Sequence, residues 1–366
     1  MVSTVTFLLL LVATAAVIRL VVRELPARAH RVLVLGSGPM TDKLVEEIET
    51  ADHRRFAIAG IVDDERPDAA APGADRWLGA YDQLGAIVAQ SKPHCIVVAA
   101  ADRRERLPMQ TLLEWRVKGI LVEDAIDLYE RLTGKIAIED LRPSAIILGR
   151  GFRNSRTAES LARAVSMLAA GVALVLAAPL LASLALAIRL DSRGPVFFVQ
   201  QRAGRDGRPF GLIKFRTMHP CAEARSEWVA DNADRITRIG RWLRRFRLDE
   251  LPQLVNVLRG EMNLVGPRPH PSTNYDAFLE RIAYYGIRSS VRPGVTGWAQ
   301  VRYGYANNLD EETEKMRYDL FYIKNRSLWL DARILFETVL TCVARTDAAV
   351  LRRRSPERTD PLPVGG

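Results

Sequence analysis

Two adjacent carboxylates, Asp249 and Glu250, follow a cluster of arginines and precede a short apolar pattern. The apolar residues recur at i, i+3, i+4 and i+7, which predicts one apolar face of a helix that ends near Gly260: Leu251, Leu254, Val255 and Leu258. The two acids would lie at the positive end of the helix dipole, where carboxylates, metal ions and phosphates can meet. The pattern therefore indicates phosphate chemistry, although an acidic helix cap beside a solvated arginine face explains the same residues.

The overall composition limits the class of protein. The chain has 366 residues, of which 48% are hydrophobic, and a formal net charge of +9. The length allows two domains, and the positive charge suits anionic partners such as phospholipid head groups, nucleotides or nucleic acid without choosing among them. The 3 cysteines show no CxxC spacing, so neither a disulfide framework nor a zinc site is indicated. We therefore expect a reducing environment that faces the cytosol.

Residues 1–27 are predicted to form a transmembrane anchor. No charge interrupts residues 2–18, and arginines follow this run rather than precede it. A secretory signal would carry its positive charge first, and the arginines place the next domain in the cytoplasm. A cleaved signal peptide is the alternative, because residues 26–29 weakly resemble a cleavage site.

Residues 28–149 alternate strand patterns with helical stretches. Runs typical of buried strands lie at 31–35, 56–62, 95–100 and 119–122. Alternation of this kind predicts a parallel sheet of Rossmann type.

A glycine loop, formed by Gly36, Ser37 and Gly38, follows the first strand pattern. It reads GxGxxT, with Thr41 where a dinucleotide fingerprint has a third glycine or alanine. The acidic pair at 63–64 lies later than the spacing expected of a ribose ligand. The loop is therefore either a site for a nucleotide or nucleotide-sugar, or a tight turn in a structural or regulatory module.

Residues 150–160 are polar and predict a linker, and residues 161–190 predict a membrane segment. The run 164–188 is apolar throughout and exceeds the roughly 20 residues needed to span a bilayer. Pro179 lies inside it, where it removes a backbone hydrogen bond and bends the helix. A straight span would put the flanking domains on opposite sides of the bilayer, whereas a re-entrant helix broken at Pro179 would leave both in the cytoplasm. Basic residues at both ends do not decide between these paths.

Several motifs follow in a fixed order. They include Gly-Pro at 194–195, Lys-Phe-Arg-Thr-Met at 214–218, the arginine and acid cluster at 244–250, Gly-Pro-Arg-Pro at 266–269, Arg-Pro-Gly at 292–294 with Gly-Trp-Ala-Gln at 297–300, and Tyr-Asp at 318–319 before Ser-Leu-Trp-Leu-Asp at 327–331. In this order they resemble the bacterial sugar transferases, the monotopic polyprenyl-phosphate glycosyl-1-phosphate transferases. The resemblance covers residues 163–344, and residues 28–149 resemble the Rossmann-like domain of the larger members.

This resemblance implies an α/β fold in several parts. After the N-terminal membrane anchor and the Rossmann-like parallel-sheet domain, it implies a re-entrant membrane helix at 161–190, broken at Pro179. A membrane-associated, mostly helical α/β catalytic domain then covers 191–346. The larger members usually begin with several transmembrane helices, whereas one is predicted here. Residues 347–366, rich in arginine and proline, are predicted to be disordered.

The resemblance also implies a reaction. A sugar 1-phosphate would pass from a UDP-sugar to undecaprenyl phosphate with release of UMP, at the cytoplasmic face of the bacterial inner membrane, to start exopolysaccharide, capsule or O-antigen assembly. Asp249 would be the nucleophile that forms a phosphosugar-aspartate, and Glu250 would help to hold Mg²⁺. An ionised carboxylate is a competent nucleophile towards phosphorus, and a hard divalent cation prefers oxygen ligands.

Basic residues in the motifs are the candidates for phosphate contacts. Lys214 and Arg216 are either such contacts or a basic strand end. Arg244 stands five residues before Asp249, as a phosphate-binding arginine does in the family. Arg268, held between two prolines, suits a rigid bidentate phosphate clamp or a structural turn.

Asp319 resembles a further acid near the site of the family, and we assign it with the residues that contact the substrate phosphates. Its alternative is a pair on the helix surface with Arg317 or Lys315. His270 is not expected to act in acid–base catalysis, because the implied mechanism does not need a histidine.

Two other functions use different parts of the chain. A membrane-tethered, NAD-dependent enzyme that modifies sugar nucleotides would use the Gly36 loop, although it lacks the third glycine and a well-spaced acid. A non-catalytic basic membrane scaffold would bind anionic lipids, although it needs no adjacent acids among arginines. For the transferase we expect a UDP-sugar, polyprenyl phosphate and the lipid bilayer as partners and no nucleic acid, with a homo-oligomer left open.

Overall fold

The chain divides into two compact units, Met1–Gly134 and Lys135–Gly366. The computed structural model describes residues 29–50, 56–100, 107–141, 143, 146, 151–152, 155–219, 235–304, 306 and 308–344. The predicted anchor at 1–27 and the predicted disordered tail at 347–366 lie outside the described residues.

The first unit is built on a five-stranded parallel sheet. In chain order its elements are β1 His30–Leu35, α1 Pro39–Thr50, β2 Phe56–Val62, β3 Trp77–Gly79, α2 Leu84–Ser91, β4 Cys95–Val98, α3 Met109–Val117, β5 Leu121–Asp124 and α4 Ala125–Thr133. The strand order is β3-β2-β1-β4-β5, and each neighbouring pair is parallel. All four residues of β4 are buried, as expected of a strand covered on both faces. The predicted Rossmann-type sheet is confirmed.

This compact unit and the predicted domain 28–149 differ at their C-terminal ends. The unit ends at Gly134, and the next residues pack into the second unit. Ile136, Ile138 and Leu141 belong to a buried cluster with Phe278 and Met316. Apolar residues at this spacing looked like the last part of the sheet domain, but they bury their surface against helices that lie far along the sequence.

The second unit begins with a long helix, α5, which spans Arg156–Asp191. Ser155 caps it by accepting a hydrogen bond from the amide of Ala158, so the predicted linker at 150–160 ends earlier than expected. The helix is long and apolar enough to cross a membrane, and 11% of its most apolar 18-residue window is buried. It continues through Pro179 without leaving the helical conformation. The predicted break is therefore not an interruption of the helix, and the re-entrant path stays a prediction.

The remaining elements of the second unit are short strands and helices. They are β6 Phe197–Ala203, β7 Pro209–Phe215, α6 Arg238–Arg245, α7 Gln253–Arg259, β8 Asn263–Val265, α8 Ser272–Arg281, β9 Gly294–Thr296, α9 Trp298–Arg302, α10 Leu309–Lys324 and α11 Leu328–Ala344. Strands β6 and β7 form an antiparallel hairpin, and β8 pairs with β9 in parallel.

The glycine motif at the end of β8 meets the glycine motif at the start of β9. Gly266 donates its amide to the carbonyl of Thr296, and Gly294 donates to that of Pro267, each over 2.9 Å. The backbones approach so closely that a Cβ on Gly294 would lie 2.1 Å from the amide nitrogen of Gly266. Only glycine leaves room for this crossing, which joins the Gly-Pro-Arg-Pro and Arg-Pro-Gly motifs.

We expect Gly294→Ala to lower the free energy of unfolding of the second unit by about 1–3 kcal/mol or more, because the added methyl group overlaps backbone atoms that cannot move aside. Thermal unfolding of the full chain measures the effect. Gly171→Ala is the control, since a Cβ at Gly171 meets no atom within 4 Å. Equal midpoints for the two variants would contradict the close crossing.

Candidate active site

Asp249 and Glu250 lie on a short 3₁₀ turn, Leu248–Glu250, directly before α7. Arg247, which precedes the turn, adopts a left-handed backbone conformation with φ of 54°. This conformation is uncommon for a residue with a side chain. The chain therefore reverses sharply between the arginines of α6 and the two acids.

The predicted helix after the acids is confirmed, but of the four residues on its predicted apolar face Leu254 alone is buried. The buried side chains of α7 are Gln253, Leu254, Asn256 and Val257, whereas Leu258 is 38% exposed. Asn256 lies on the buried side of α7 and bonds to a neighbouring strand. Its side chain accepts a hydrogen bond from the amide of Ile213 at 3.1 Å and donates to the carbonyl of Gly211 at 2.8 Å.

Asn256 thereby joins α7 to β7, the strand that carries Lys214. Sequence reasoning missed this residue, although one signal was present: an amide side chain within an otherwise apolar run. Strand β7 and the turn that carries the acids are consequently held side by side.

Glu250 is buried in an ion pair with Arg268, whose Nη2 lies 2.7 Å from Oε1. The other carboxylate oxygen lies 3.9 Å from Nη1 of Arg247. Burial alone would raise the pKa of Glu250, but the charges of Arg268, Lys214 and Arg247 outweigh it and lower the pKa to about 2. Glu250 is therefore ionised throughout the physiological range.

Asp249 differs from its neighbour. Burial, and then the negative charge of Glu250, raise the pKa of Asp249, while Lys214, Arg244 and Arg268 oppose that rise. Burial also lowers the pKa of Lys214 to about 7, with a contribution from Arg268. The structure thus brings three predicted cationic residues to the acidic pair: Lys214, Arg244 and Arg268.

The loop that carries Arg268 is held through four consecutive carbonyl groups. The carbonyl of Pro267 accepts from the amide of Gly294 at 2.9 Å, and that of Arg268 accepts from Arg288 at 2.6 Å. The carbonyl of Pro269 accepts from the side chain of Arg202 at 3.0 Å, and that of His270 accepts from the amide of Ala203 at 2.9 Å. The two prolines of the loop have no N–H to donate within it. The hydrogen-bond donors to its carbonyl groups come from other segments.

Arg216 is placed elsewhere. Its guanidinium donates to the carbonyls of Ser192 at 2.7 Å and Arg193 at 3.1 Å, and to the hydroxyl of Ser192 at 2.9 Å. These are the groups that follow the last turn of α5, so Arg216 closes the end of that helix. The bonds that Arg216 makes in the structure differ from the predicted phosphate contact. Arg244 lies nearby and donates to the hydroxyl of Thr217 at 2.9 Å.

Asp319 does not lie on the helix surface, so its alternative as a surface pair with Arg317 or Lys315 is wrong. It is 1% exposed, and its Oδ2 accepts from Nε of Arg288 at 2.7 Å. Arg288 was missed by sequence reasoning, because nothing in its local pattern distinguishes it from the many other arginines. Among the described residues, Arg288 and the Arg268 loop connect Asp319 to the acidic pair.

A sequence comparison bears on this site. The model of the bacterial sugar transferase family matches residues 157–345. The chain belongs to the bacterial sugar transferase family. The matched region holds the acidic pair, the three cations around it and the loops that carry them.

Curated relatives carry related names. The chain is 42% identical to an Aeromonas hydrophila UDP-N-acetylgalactosamine-undecaprenyl-phosphate N-acetylgalactosaminephosphotransferase, over 58% of this chain and 50% of that protein. It is 38% identical to an undecaprenyl-phosphate glucose phosphotransferase of Komagataeibacter xylinus, over 85% and 58%. It is 32% identical to a UDP-glucose:undecaprenyl-phosphate glucose-1-phosphate transferase of Escherichia coli, over 84% and 66%. The chain thus spans between half and two thirds of the length of these relatives.

The glycine loop of this sugar transferase family member lies in the first unit, before the matched region. The amide and the hydroxyl of Ser37 both donate to Oδ2 of Asp63 at 2.5 Å. Gly36 has a φ of 104°, and a Cβ there would lie 2.6 Å from the amide nitrogen of Ala100. The protein's own carboxylate thus occupies donors that a phosphate would use. This contact favours a tight structural turn over a nucleotide site.

We expect Asp63→Ala to lower the local stability of the first unit by about 1–3 kcal/mol, because Ser37 loses the acceptor of both its hydrogen bonds. Hydrogen exchange of the full chain over β1, β2 and the loop measures the change. Asp75→Ala, at an exposed carboxylate in the same unit, is the control. Unchanged exchange in Asp63→Ala, together with protection of the loop by an added nucleotide, would favour the nucleotide site instead.

Proposed function

We propose that this protein transfers a sugar 1-phosphate from a UDP-sugar to undecaprenyl phosphate and releases UMP. The observation that carries the proposal is the convergence of three cationic side chains on the adjacent acids Asp249 and Glu250. The names of the curated relatives support the same reaction class. Those names include different sugars, so the identity of the sugar is no part of the proposal.

In the first step, an oxygen of Asp249 attacks the phosphorus that bears the sugar. The bond from this phosphorus to the oxygen that bridges the two phosphates breaks, and UMP leaves with that oxygen. In the second step, an oxygen of the lipid phosphate attacks the same phosphorus, and the carboxylate of Asp249 is released. The product is a lipid-linked sugar diphosphate, and the aspartate returns to its initial state.

The cations make this attack electrostatically feasible. A carboxylate that approaches a diphosphate meets like charge, which costs more in a partly buried site than in water. Lys214, Arg244 and Arg268 offset that repulsion and can bind phosphate oxygens. Because Arg268 is already paired with Glu250, its orientation is set before substrate arrives.

The acidic pair also fits the proposed Mg²⁺. Among the described residues no group of three or more His, Cys, Asp or Glu side chains is arranged to hold a metal ion. Mg²⁺ is commonly bound by one or two carboxylates together with substrate phosphates, which needs no such group. Glu250 would hold it, since within the described part of the chain one oxygen engages Arg268 and the other lies 3.9 Å from Arg247. When bound, the ion supplies positive charge at the diphosphate.

We propose the cytoplasmic face of the bacterial inner membrane as the location and α5 as the re-entrant helix. The apolar length of α5 and the lipid nature of the acceptor support this. The product would start the assembly of an exopolysaccharide, capsule or O-antigen.

Asp249→Asn is expected to lower UMP release by at least about a thousandfold, because the neutral amide is not a nucleophile towards phosphorus. The purified full chain is incubated with polyprenyl phosphate, Mg²⁺ and UDP-glucose, UDP-galactose or their N-acetylated forms. Asp276→Asn, at an exposed acid of α8, is the matched control and should retain activity. No UMP from the unaltered protein with any donor, or full activity in Asp249→Asn, would refute the proposal.

The pH dependence tests the role of Lys214. Its pKa is lowered to about 7, so the ammonium is present below that pH and is lost above it. We expect kcat/KM to fall by up to about tenfold per pH unit above pH 7, and to fall again at low pH as Asp249 is protonated. Lys214→Arg should move the alkaline limb upwards, because arginine keeps its charge. An alkaline limb that is unchanged in Lys214→Arg would exclude this role.

A further inference from the structure

The buried guanidinium of Arg288 connects three parts of the second unit. Its Nε donates to Asp319 at 2.7 Å, its Nη1 to the hydroxyl of Tyr285 at 3.2 Å, and its Nη2 to the carbonyl of Arg268 at 2.6 Å. All three nitrogens are thus used within the protein. Four residues donate to the carbonyl groups of the Arg268 loop, and Arg288 is the one that donates to the carbonyl of Arg268 itself.

Neither Arg288 nor Asp319 is placed to touch a substrate. Their side chains are 5% and 1% exposed, whereas that of Arg268 is 20% exposed. A direct phosphate contact, which Asp319 was expected to support, would require both groups to be uncovered. Their effect on the acidic pair must therefore pass through the Arg268 loop.

A second group of buried residues closes the network around Arg288. Glu312 lies 2.9 Å from Nε2 of His270 and 3.1 Å from Nζ of Lys315. Tyr285 donates to Glu312 at 3.3 Å. Burial, with the charges of Arg288 and Lys315, lowers the pKa of His270 to about 3, so its imidazole is neutral.

The charges of this network balance. Glu312 and Asp319 supply two negative charges, and Arg288 and Lys315 supply two positive charges, all within buried side chains. A buried guanidinium is stable only when it is paired and its N–H groups find acceptors. The network therefore keeps Arg288 ionised and in one orientation beneath the loop.

We propose that Arg288 and Asp319 form a positioning pair that aims the side chain of Arg268 at Glu250. This inference rests on the proposed transfer reaction and extends it to residues outside the reach of substrate. Asp319 orients Arg288, Arg288 holds the carbonyl of Arg268, and Arg268 holds the carboxylate of Glu250. Lysine cannot replace Arg288, because one ammonium cannot reach the three separate acceptors in their planar arrangement.

A double-mutant cycle on UMP release by the purified full chain tests the proposal. We expect Arg288→Lys alone to lower kcat/KM by about 10- to 100-fold, as the loss of an orienting partner does in other sites. In the Arg268→Ala background, the same substitution should cost less than about twofold, because the group that it orients is already absent. Effects that simply multiply would overturn the proposal.

Thermal unfolding separates positioning from general destabilisation. If Arg288→Lys does not fold at the assay temperature, Asp319→Asn decides the question in the same cycle, because it keeps the size of the side chain and leaves Arg288 in place. The matched control is Arg317→Lys on α10, the helix that carries Asp319. Within the described residues Arg317 pairs with Glu139 and Glu314 and makes no bond to the Arg268 loop. We expect its kcat/KM to stay within about twofold of the unaltered protein.

UMP release by the unaltered protein separates a failure of the positioning pair from a failure of the proposed function. An unaltered protein that releases no UMP from any UDP-sugar would remove the function, and the inference with it. An active protein in which Arg288→Lys or Asp319→Asn lowers kcat/KM equally in both backgrounds would refute the inference alone.

Discussion

The ion pair of Arg268 and Glu250 is the interaction on which the site depends. Two adjacent carboxylates that are largely withdrawn from water would repel one another, and at least one would take up a proton. Arg268 keeps Glu250 from taking up a proton, since its charge helps to lower the pKa of Glu250 to about 2. The pKa of the neighbouring Asp249 is raised. The pair therefore gives two chemically similar groups different proton affinities.

A loop rich in proline can support this pair because other segments grip it. Each of the carbonyls from Pro267 to His270 accepts a hydrogen bond from a different residue. Two of the donors are backbone amides and two are arginines. The rigidity of the loop is thus a property of its surroundings as much as of its prolines. This explains how Arg268 keeps a fixed direction although its side chain is only partly buried.

The fold was predictable from sequence where the signal is local. The strands at 30–35 and 95–98 are continuous apolar runs, and the order of motifs after residue 190 identified the family. The roles of individual arginines were less predictable. Arg216 and Arg268 stand in similar basic motifs, yet one closes a helix end and the other pairs with Glu250. Their partners lie 24 and 18 positions away, and no local pattern carries information over such separations.

The donors that hold the Arg268 loop lie on both sides of it in the sequence. Asp249 precedes all the residues that fix its surroundings from the C-terminal side, namely Arg288, Gly294 and Asp319. Contacts between distant segments form late, since chain entropy must be lost before they stabilise the fold. During synthesis, a nascent chain that has emerged only as far as α8 holds both acids and the donors Arg202 and Ala203, but it lacks the donors Arg288 and Gly294. All four carbonyls of the loop can therefore be held only after the chain has been made as far as Gly294.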